Sequence, residues 1–588
     1  MRIIYRFLLT IVSSILLSFF IISGCEKKPQ KAESDWIEYT YSQMSSDQKI
    51  GQLFCLRVDP IQYFLYTNYK RNIDLLIGKY KPGAVFLIAN LDTVKQEVKN
   101  EFDGNKLHDE LIEIQKHSEI PLLVAANFES GAWYWDKYAT RFPFPLALGA
   151  ARSPEMGFRQ GKITAVEAKA QGINWILSPI VNTSIDPANI PLQIYSLGND
   201  KELVAELGSQ FIRGVQEVGI AACMKYFPSE KNQSLLHMSP DDIDQSQLNI
   251  FKTVIDAGVS TIMGSPVDVS TIQSDLQPLH EKQMINELLR KQLGFQGLFA
   301  CEVDYRSDSA NVSKDTEVFL EMVRNGTNMF ILPEIFGTTI PHIDFLLDRV
   351  YAGMEDMSPI DDSVRKILYS KNQLNLQLVK SERSLRAMAG IGLPEYHQTS
   401  QEISNQSVTI LKNENNLIPI DYHKQYITSI AFFDDFSPQY ATIYSDSLEQ
   451  ISEDIKRLNI FGIPDKRIQY EIIRRASESD IVLCSIFLKF NNDASDFGLA
   501  PEIQKLIDHI LNVNKHVILI SFHNPYLLNY VSDVQSYVIA YSPSENSINS
   551  VIEIIFGKRG ASGKLPISIS EKFPIGFGLS TGGENISN

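Results

Sequence analysis

The residues best placed to do chemistry are polar ones that close short apolar runs. The clearest case is Gly294-Phe-Gln-Gly-Leu-Phe-Ala-Cys-Glu302-Val-Asp304, a turn and a buried run capped by acids. Parallel α/β folds place their chemistry at the C-terminal lip of such strands, so Glu302 is a candidate nucleophile. The alternative is that Glu302 and Asp304 are solvated loop carboxylates. Other runs end on Asp59, Asn90, Asn127 with Glu129, Asn182, Lys225, Ser265 with Asp268, and Glu334. Brought side by side, these would converge on one polar mouth, and some of them would be no more than exposed strand ends.

The elements that must position them are eight strand-like runs separated by amphipathic stretches: Gln52 to Arg57, Ala84 to Ala89, Leu122 to Ala126, Trp175 to Ile180, Ile220 to Lys225, Thr261 to Gly264, Leu298 to Cys301 and Met329 to Leu332. This rhythm predicts an α/β fold with a parallel sheet, and eight units favour a closed (β/α)8 barrel of TIM type over an open sheet. The intervening helices carry ordinary start signals, such as Asn199-Asp200 before Lys201-Glu-Leu-Val.

A chain of 588 residues is too long for one hydrophobic core. Its 44% hydrophobic and 21% charged content is that of a globular protein, and the formal charge of -16 argues against nucleic acid as a partner. Five scattered cysteines without a C-x-x-C pair imply neither a zinc site nor a disulfide framework; Cys55, Cys223, Cys301 and Cys484 sit in apolar runs and read as buried thiols. No metal or cofactor site is apparent, and no G-x-G-x-x-G or phosphate loop occurs between Ile427 and Asp480.

The N-terminus reads as an address. Arg2 and Arg6 precede an apolar run from Phe7 to Ile22, which closes on Ile22-Ser-Gly-Cys25. The close resembles a bacterial lipobox, which implies a chain that begins at Cys25 after cleavage and is tethered to the membrane by lipid on that thiol. Glu26 after the cysteine points to the outer membrane of a Gram-negative cell envelope. An uncleaved signal anchor is the other reading.

Several segments together carry a resemblance. Met44-Ser-Ser-Asp-Gln-Lys-Ile-Gly-Gln-Leu-Phe54, Pro82-Gly-Ala-Val-Phe86, Phe144-Pro-Leu-Ala-Leu-Gly149, Lys225-Tyr-Phe-Pro228, Leu293-Gly-Phe-Gln-Gly297 and Asn325-Gly-Thr-Asn-Met-Phe-Ile-Leu-Pro333 resemble glycoside hydrolase family 3. Asn405-Gln-Ser-Val-Thr-Ile-Leu-Lys-Asn413 and the Phe556 to Gly578 stretch resemble the entry and closing turn of that family's C-terminal α/β/α sandwich. The expected organisation is a signal peptide over 1–25, a tether over 26–35, the barrel over 36–371, a linker over 372–400 and the sandwich over 401–588.

The resemblance implies a retaining mechanism on a carbohydrate, in which a carboxylate attacks the anomeric carbon and a second group supplies and removes a proton. It places the nucleophile at Glu302, where the family has Asp; the extra methylene shifts the carboxylate by about an ångström, a displacement that can cost about a hundredfold in rate. In the β-N-acetylglucosaminidase branch the acid/base is a His supported by an Asp two residues earlier. His237 falls at that place, but Leu235 replaces the supporting acid, and His237 is otherwise a surface histidine. Of the sugar-holding positions, Asn127 stands for Asp, Tyr195 for Arg, Tyr226 for His and Asn182 for Asp, while Glu129 and Lys225 are kept. Amides bind hydroxyls more weakly than carboxylates, and Tyr cannot imitate the guanidinium fork. Lys225 is either a ligand contact or the ion-pair partner of a carboxylate in the mouth. Trp133-Tyr-Trp135 and Tyr138 either stack on sugar rings or pack as core. In other branches the second domain supplies the acid/base, which makes Asp493, Asp496 and Glu502 further candidates. Two functions stay open: a lipid-anchored β-N-acetylglucosaminidase acting on envelope glycans that contain N-acetylglucosamine, with activity weakened or lost by these changes, and a non-catalytic glycan- or partner-binding lipoprotein.

Overall fold

The computed structural model describes residues 30–88, 101–183, 193–229, 240–268, 282–304, 312–332, 340–378, 390–434, 438–487, 499–531 and 533–582. Eight parallel strands close into a barrel: β1 (Phe54–Val58), β2 (Ala84–Leu87), β3 (Leu123–Ala126), β4 (Trp175–Ile176), β5 (Ala221–Phe227), β6 (Thr261–Asp268), β7 (Leu298–Asp304) and β8 (Met329–Ile331), in sequence order, with β8 returning to β1. Helices cover the outside and side chains fill the inside, so the strands are apolar on both faces, which is why they read as continuous hydrophobic runs.

Several strands differ from their expected lengths; β6 runs on from Gly264 to Asp268, and two others bear on the site. The run from Trp175 to Ile180 is assigned as strand over two residues only, because Pro179 has no N–H to continue the ladder. Its carbonyls still serve: Ser178 O and Pro179 O accept from Cys223 N at 3.1 Å and Lys225 N at 2.9 Å, which carries the chain on to Asn182. In the other direction, β7 continues past Cys301 and Glu302 pairs in register with Ile331 of β8. Glu302 is therefore a strand residue with a fixed backbone. The helices that brace the barrel start on side-chain caps; Asp200 accepts from Leu203 N at 3.3 Å, and Ser45 and Gln48 form a reciprocal capping box.

The helix Ser358–Gln373 lies under the N-terminal ends of the strands and closes the barrel floor. Its Lys371 Nζ donates to Gln52 Oε1 at 2.5 Å, its Asp361 pairs with Lys49 at 2.9 Å, and its Ser363 Oγ accepts from Asn328 at 3.2 Å.

The second sheet has the order β11-β10-β12-β13-β14-β9, from β9 (Thr409–Asn413), β10 (Ile427–Phe433), β11 (Lys456–Phe461), β12 (Ile481–Phe487), β13 (Val517–Ser521) and β14 (Ser536–Ile539). All pairs are parallel except β14 with β9. Helices Lys466–Glu478 and Pro501–Val513 pack on one face, and Pro438–Glu449 and Glu545–Ile555 on the other, giving the α/β/α layering. Cys55, Cys223, Cys301 and Cys484 are buried free thiols.

Between the two units, the stretch expected as linker ends in a helix, Pro394–Ser407, which starts on a proline at its first turn and packs against both units. The Pro145–Ala151 helix of the barrel unit crosses the boundary: Leu146, Ala147 and Ala150 belong to the same apolar cluster as Ile503 and Tyr537 of the second. Gly149 permits close packing on both sides, since a Cβ there would meet Leu197 O of the barrel unit at 2.1 Å and Pro566 Cβ of the second unit at 3.0 Å.

Candidate functional site

The polar mouth is built from the C-terminal ends of β2, β3 and β5 and the chain that follows β3 and β4. A cavity of about 410 Å³ opens there, lined by Asn127, Glu129, Trp133, Tyr195, Lys225 and Tyr226 among others. Lys225, at the end of β5, is the centre of its polar wall. Its ammonium donates to Glu129 Oε1 at 2.6 Å and to Asn127 Oδ1 at 3.3 Å, with side-chain exposures of 3% for Lys225 and 12% for Glu129. Burial works against the Lys225 charge, but the Glu129 carboxylate outweighs it, and the net effect holds the ammonium above its usual range. The ammonium is thereby fixed in its charged form.

Asn182 is fully committed to the backbone. Its Nδ2 donates to Tyr226 O at 3.0 Å and its Oδ1 accepts from Tyr226 N at 2.7 Å. It shapes the Lys225-Tyr226 segment and is not among the cavity-lining residues. Burial raises the Tyr226 phenol above its ordinary value, Lys225 pulls it back, and Glu302 adds to the rise, so the phenol stays protonated beside the candidate nucleophile.

Glu302, which is not among the cavity-lining residues, is ion-paired with Arg57 of β1, the next strand but one. The Arg57 Nε is buried with no hydrogen-bond partner among the described residues, and its guanidinium carbon lies 5.7 Å from the Phe86 ring centre. Sequence reasoning passed over Arg57; the available signal was an arginine in the last position of an otherwise apolar run.

The aromatic cluster divides. Trp133 lines the cavity, as do Tyr134 and Trp135 in part, but Trp135 is 4% exposed and belongs to the core. Tyr138 lies outside the lining and is exposed. Gly131, at φ 92°, turns the chain into this cluster. A second arginine missed from sequence, Arg141, stacks on Trp133 with its guanidinium carbon 4.1 Å from the ring centre and donates to Tyr440 OH of the second unit at 2.7 Å. On the other side of the mouth Phe144 packs edge-on to Tyr195 at 5.3 Å and lies 5.9 Å from the His523 ring. The second unit thus backs two walls of the cavity.

Asp59 turns away from this role. Its carboxylate caps the helix Pro60–Leu65, accepting from Ile61 N at 2.9 Å and Gln62 N at 3.0 Å. Glu502 is exposed in the first turn of its helix. His237, Asn90, Glu334, Asp493, Asp496 and Cys25 lie outside the described residues, as do the side chains of Asp268 and Asp304. Among the described residues no group of three His, Cys, Asp or Glu side chains stands together as a metal site, and no helix is long and apolar enough to cross a membrane.

A closed parallel barrel with a polar mouth, backed by an α/β/α unit, is the architecture of a two-domain glycoside hydrolase. Residues 45–369 match the glycosyl hydrolase family 3 N-terminal domain and residues 408–575 the glycosyl hydrolase family 3 C-terminal domain, and the chain belongs to that family. It is 23% identical to a β-N-acetylglucosaminidase/β-glucosidase of Cellulomonas fimi, covering 90% of this chain and 95% of that protein. It is 20% identical to β-hexosaminidase A of Pseudoalteromonas piscicida, covering 86% of this chain and 92% of that protein. Among solved structures, a family 3 β-N-acetylglucosaminidase from a Paenibacillus species superposes with a TM-score of 0.73 at 20% identity, covering 90% of this chain and 99% of that one. A β-glucoside phosphorylase superposes at 0.74 with 21% identity, covering 92% and 97%.

Proposed function

We propose that this protein is a retaining β-N-acetylglucosaminidase of the cell envelope, held at the outer membrane by lipid on Cys25, with Glu302 as nucleophile. The observation that carries the reading is the mouth itself: a Lys225–Glu129 ion pair, Asn127, Tyr195 and Tyr226 around a cavity of about 410 Å³, with Glu302 outside the lining but close enough to Tyr226 to act on its phenol. Trp133 offers a flat face for a sugar ring, and Lys225, Asn127 and Glu129 offer charged and amide groups to its hydroxyls. Glu302 attacks the anomeric carbon, the leaving-group oxygen takes a proton from an acid, and water completes hydrolysis with that group acting as base. His237 is the proposed acid/base. Because Leu235 stands where its supporting carboxylate would be, protonation of the leaving group is the weaker half of the machinery.

The experiment follows from that asymmetry. An activated aryl N-acetyl-β-glucosaminide needs little acid assistance, so the full chain is expected to cleave it, and Glu302→Gln is expected to lower kcat by about a thousandfold or more with the fold retained. Unchanged turnover in Glu302→Gln would remove the nucleophile assignment. Lipidation is tested separately, by labelled palmitate incorporation that Cys25→Ser abolishes.

A second reading rests on the Arg57–Glu302 ion pair. A carboxylate neutralised by guanidinium is a poorer nucleophile, and a mouth in which both cations hold both acids suits binding without hydrolysis. That reading expects saturable binding of N-acetylglucosamine-containing oligosaccharides and no turnover even of the activated substrate.

A further inference from the structure

Trp133 lines the mouth, yet its own chain does little to hold its ring. It sits in a three-residue helical turn, Ala132–Tyr134, entered through Gly131 and without a side-chain cap. The adjoining ring of Tyr134 meets it only edge-on, at 6.4 Å. The face of the indole is covered from elsewhere, by the Arg141 guanidinium at 4.1 Å from the ring centre. What fixes that guanidinium therefore fixes the ring.

Arg141 is tied to the second unit by both its backbone and its side chain. Its carbonyl accepts from Ser400 Oγ at 2.6 Å, and Ser400 Oγ accepts in turn from Asn546 Nδ2 of the second unit at 2.9 Å. Thr140, one residue earlier, is bound at N and Oγ1 by Glu167. Among the described residues the Arg141 side chain makes one hydrogen bond, the 2.7 Å bond to Tyr440 OH, and its guanidinium carbon lies 5.4 Å from the Tyr440 ring centre. Tyr440 is itself held fast: it is 7% exposed and stacks on Phe487 of β12 at 6.4 Å. A planar guanidinium can slide over an indole face unless one of its N–H groups is anchored, and Tyr440 OH is that anchor. The same charge reaches the opposite wall. Burial pushes the Tyr195 phenol up to about 12, Glu129 and Tyr440 add to the rise, and Arg141 pulls against it.

We infer that Arg141 is a positioning residue, through which Tyr440 of the second unit sets the orientation of the Trp133 ring in the mouth. That a sugar stacks on this ring rests on the function proposed above; that the ring is oriented from the second unit does not.

The test uses the full chain with fluorotryptophan in place of its four tryptophans, the Trp133 fluorine resonance being the one missing in Trp133→Phe. Tyr440→Phe removes only the hydroxyl to which Arg141 donates, and Arg141→Gln removes the stack as well. Both are expected to shift and broaden the Trp133 resonance and to leave those of Trp36 and Trp175 in place. Tyr470→Phe, at an exposed tyrosine of the same unit, should leave all four unchanged. A Trp133 resonance unmoved in Tyr440→Phe would overturn the inference, and that variant carries the test should Arg141→Gln fail to fold by circular dichroism. Where the parent turns over an aryl N-acetyl-β-glucosaminide, Tyr440→Phe should raise KM about fivefold, the weight of one aromatic contact, with kcat within about twofold of the parent. A fall in kcat at unchanged KM would overturn the ring as the seat of the sugar. A parent without turnover refutes the proposed hydrolase, and the resonance alone then decides the positioning role.

Discussion

At the mouth of the barrel two basic side chains face carboxylates, Lys225 with Glu129 and Arg57 with Glu302, whereas at the floor two others do not: Lys371 meets an amide and Arg290 meets carbonyls and an amide. The same residue types therefore do different things at the two ends. In the mouth, paired groups hold each other in place, leaving polar groups ready for a ligand. On the floor, cations act as clamps on backbone: Arg290 fastens the turn before β7, and Gln52, held by Lys371, fastens Lys81 O and Pro82 O before β2.

This contrast can be broken by substitution. The largest effect is expected from Lys225→Met, which strands Glu129 as a buried unpaired charge and should cost about 3–5 kcal/mol of unfolding free energy in denaturant titration. Adding Glu129→Gln should recover much of that loss; failure to recover would mean that Lys225 matters through packing and not through its pair. Next is Glu167, which accepts from Thr140 N at 2.9 Å, Thr140 Oγ1 at 2.8 Å and Gly392 N at 2.9 Å, tying the mouth segment to the inter-unit chain. Burial raises its carboxyl to about 7 despite those bonds. A folded value above the unfolded one means that its stabilising share is complete below about pH 4.5 and is lost as pH rises through 7, by up to about 3 kcal/mol. Melting temperature followed from pH 5 to 8 should therefore decline less in Glu167→Gln than in the parent. The smallest effect is expected at the floor. Lys371→Met removes an amine that burial holds well below its usual range and that has no carboxylate partner among the described residues, and it should cost about 1 kcal/mol, mainly for leaving Gln52 Oε1 without its donor. A cost as large as that of Lys225→Met would erase the distinction between clamp and pair.

The strands were legible because burial on both faces writes itself as uninterrupted apolar runs, and the barrel followed from counting them. Lys225, Asn127 and Glu129 were legible as polar residues at or just past the ends of such runs, and Tyr226 only through the family resemblance. Arg57 was not, because its meaning lies in a partner 245 residues away that becomes a neighbour only when the barrel closes. Arg141 and Tyr440, 299 residues apart, escaped for the same reason. Asp59 misled in the opposite direction: an acid after a strand and before Pro60 satisfies a helix cap as readily as a catalytic mouth. Trp133 and Trp135 looked equivalent, yet one lines the cavity and the other packs in the core, a division set by the short helical turn between them.

The Pro145–Ala151 helix has a consequence for anyone who divides this protein. By chain order it belongs to the barrel, yet Leu146 and Ala147 are 0% exposed and Ala150 1%, within a cluster supplied largely by the second sheet. A barrel cut free after residue 371 would carry that greasy helix bare on its flank, and two such fragments would adhere through it. Exchange of the second unit between relatives therefore requires the seam to be drawn inside the barrel's own sequence, so that this helix travels with the sheet it serves.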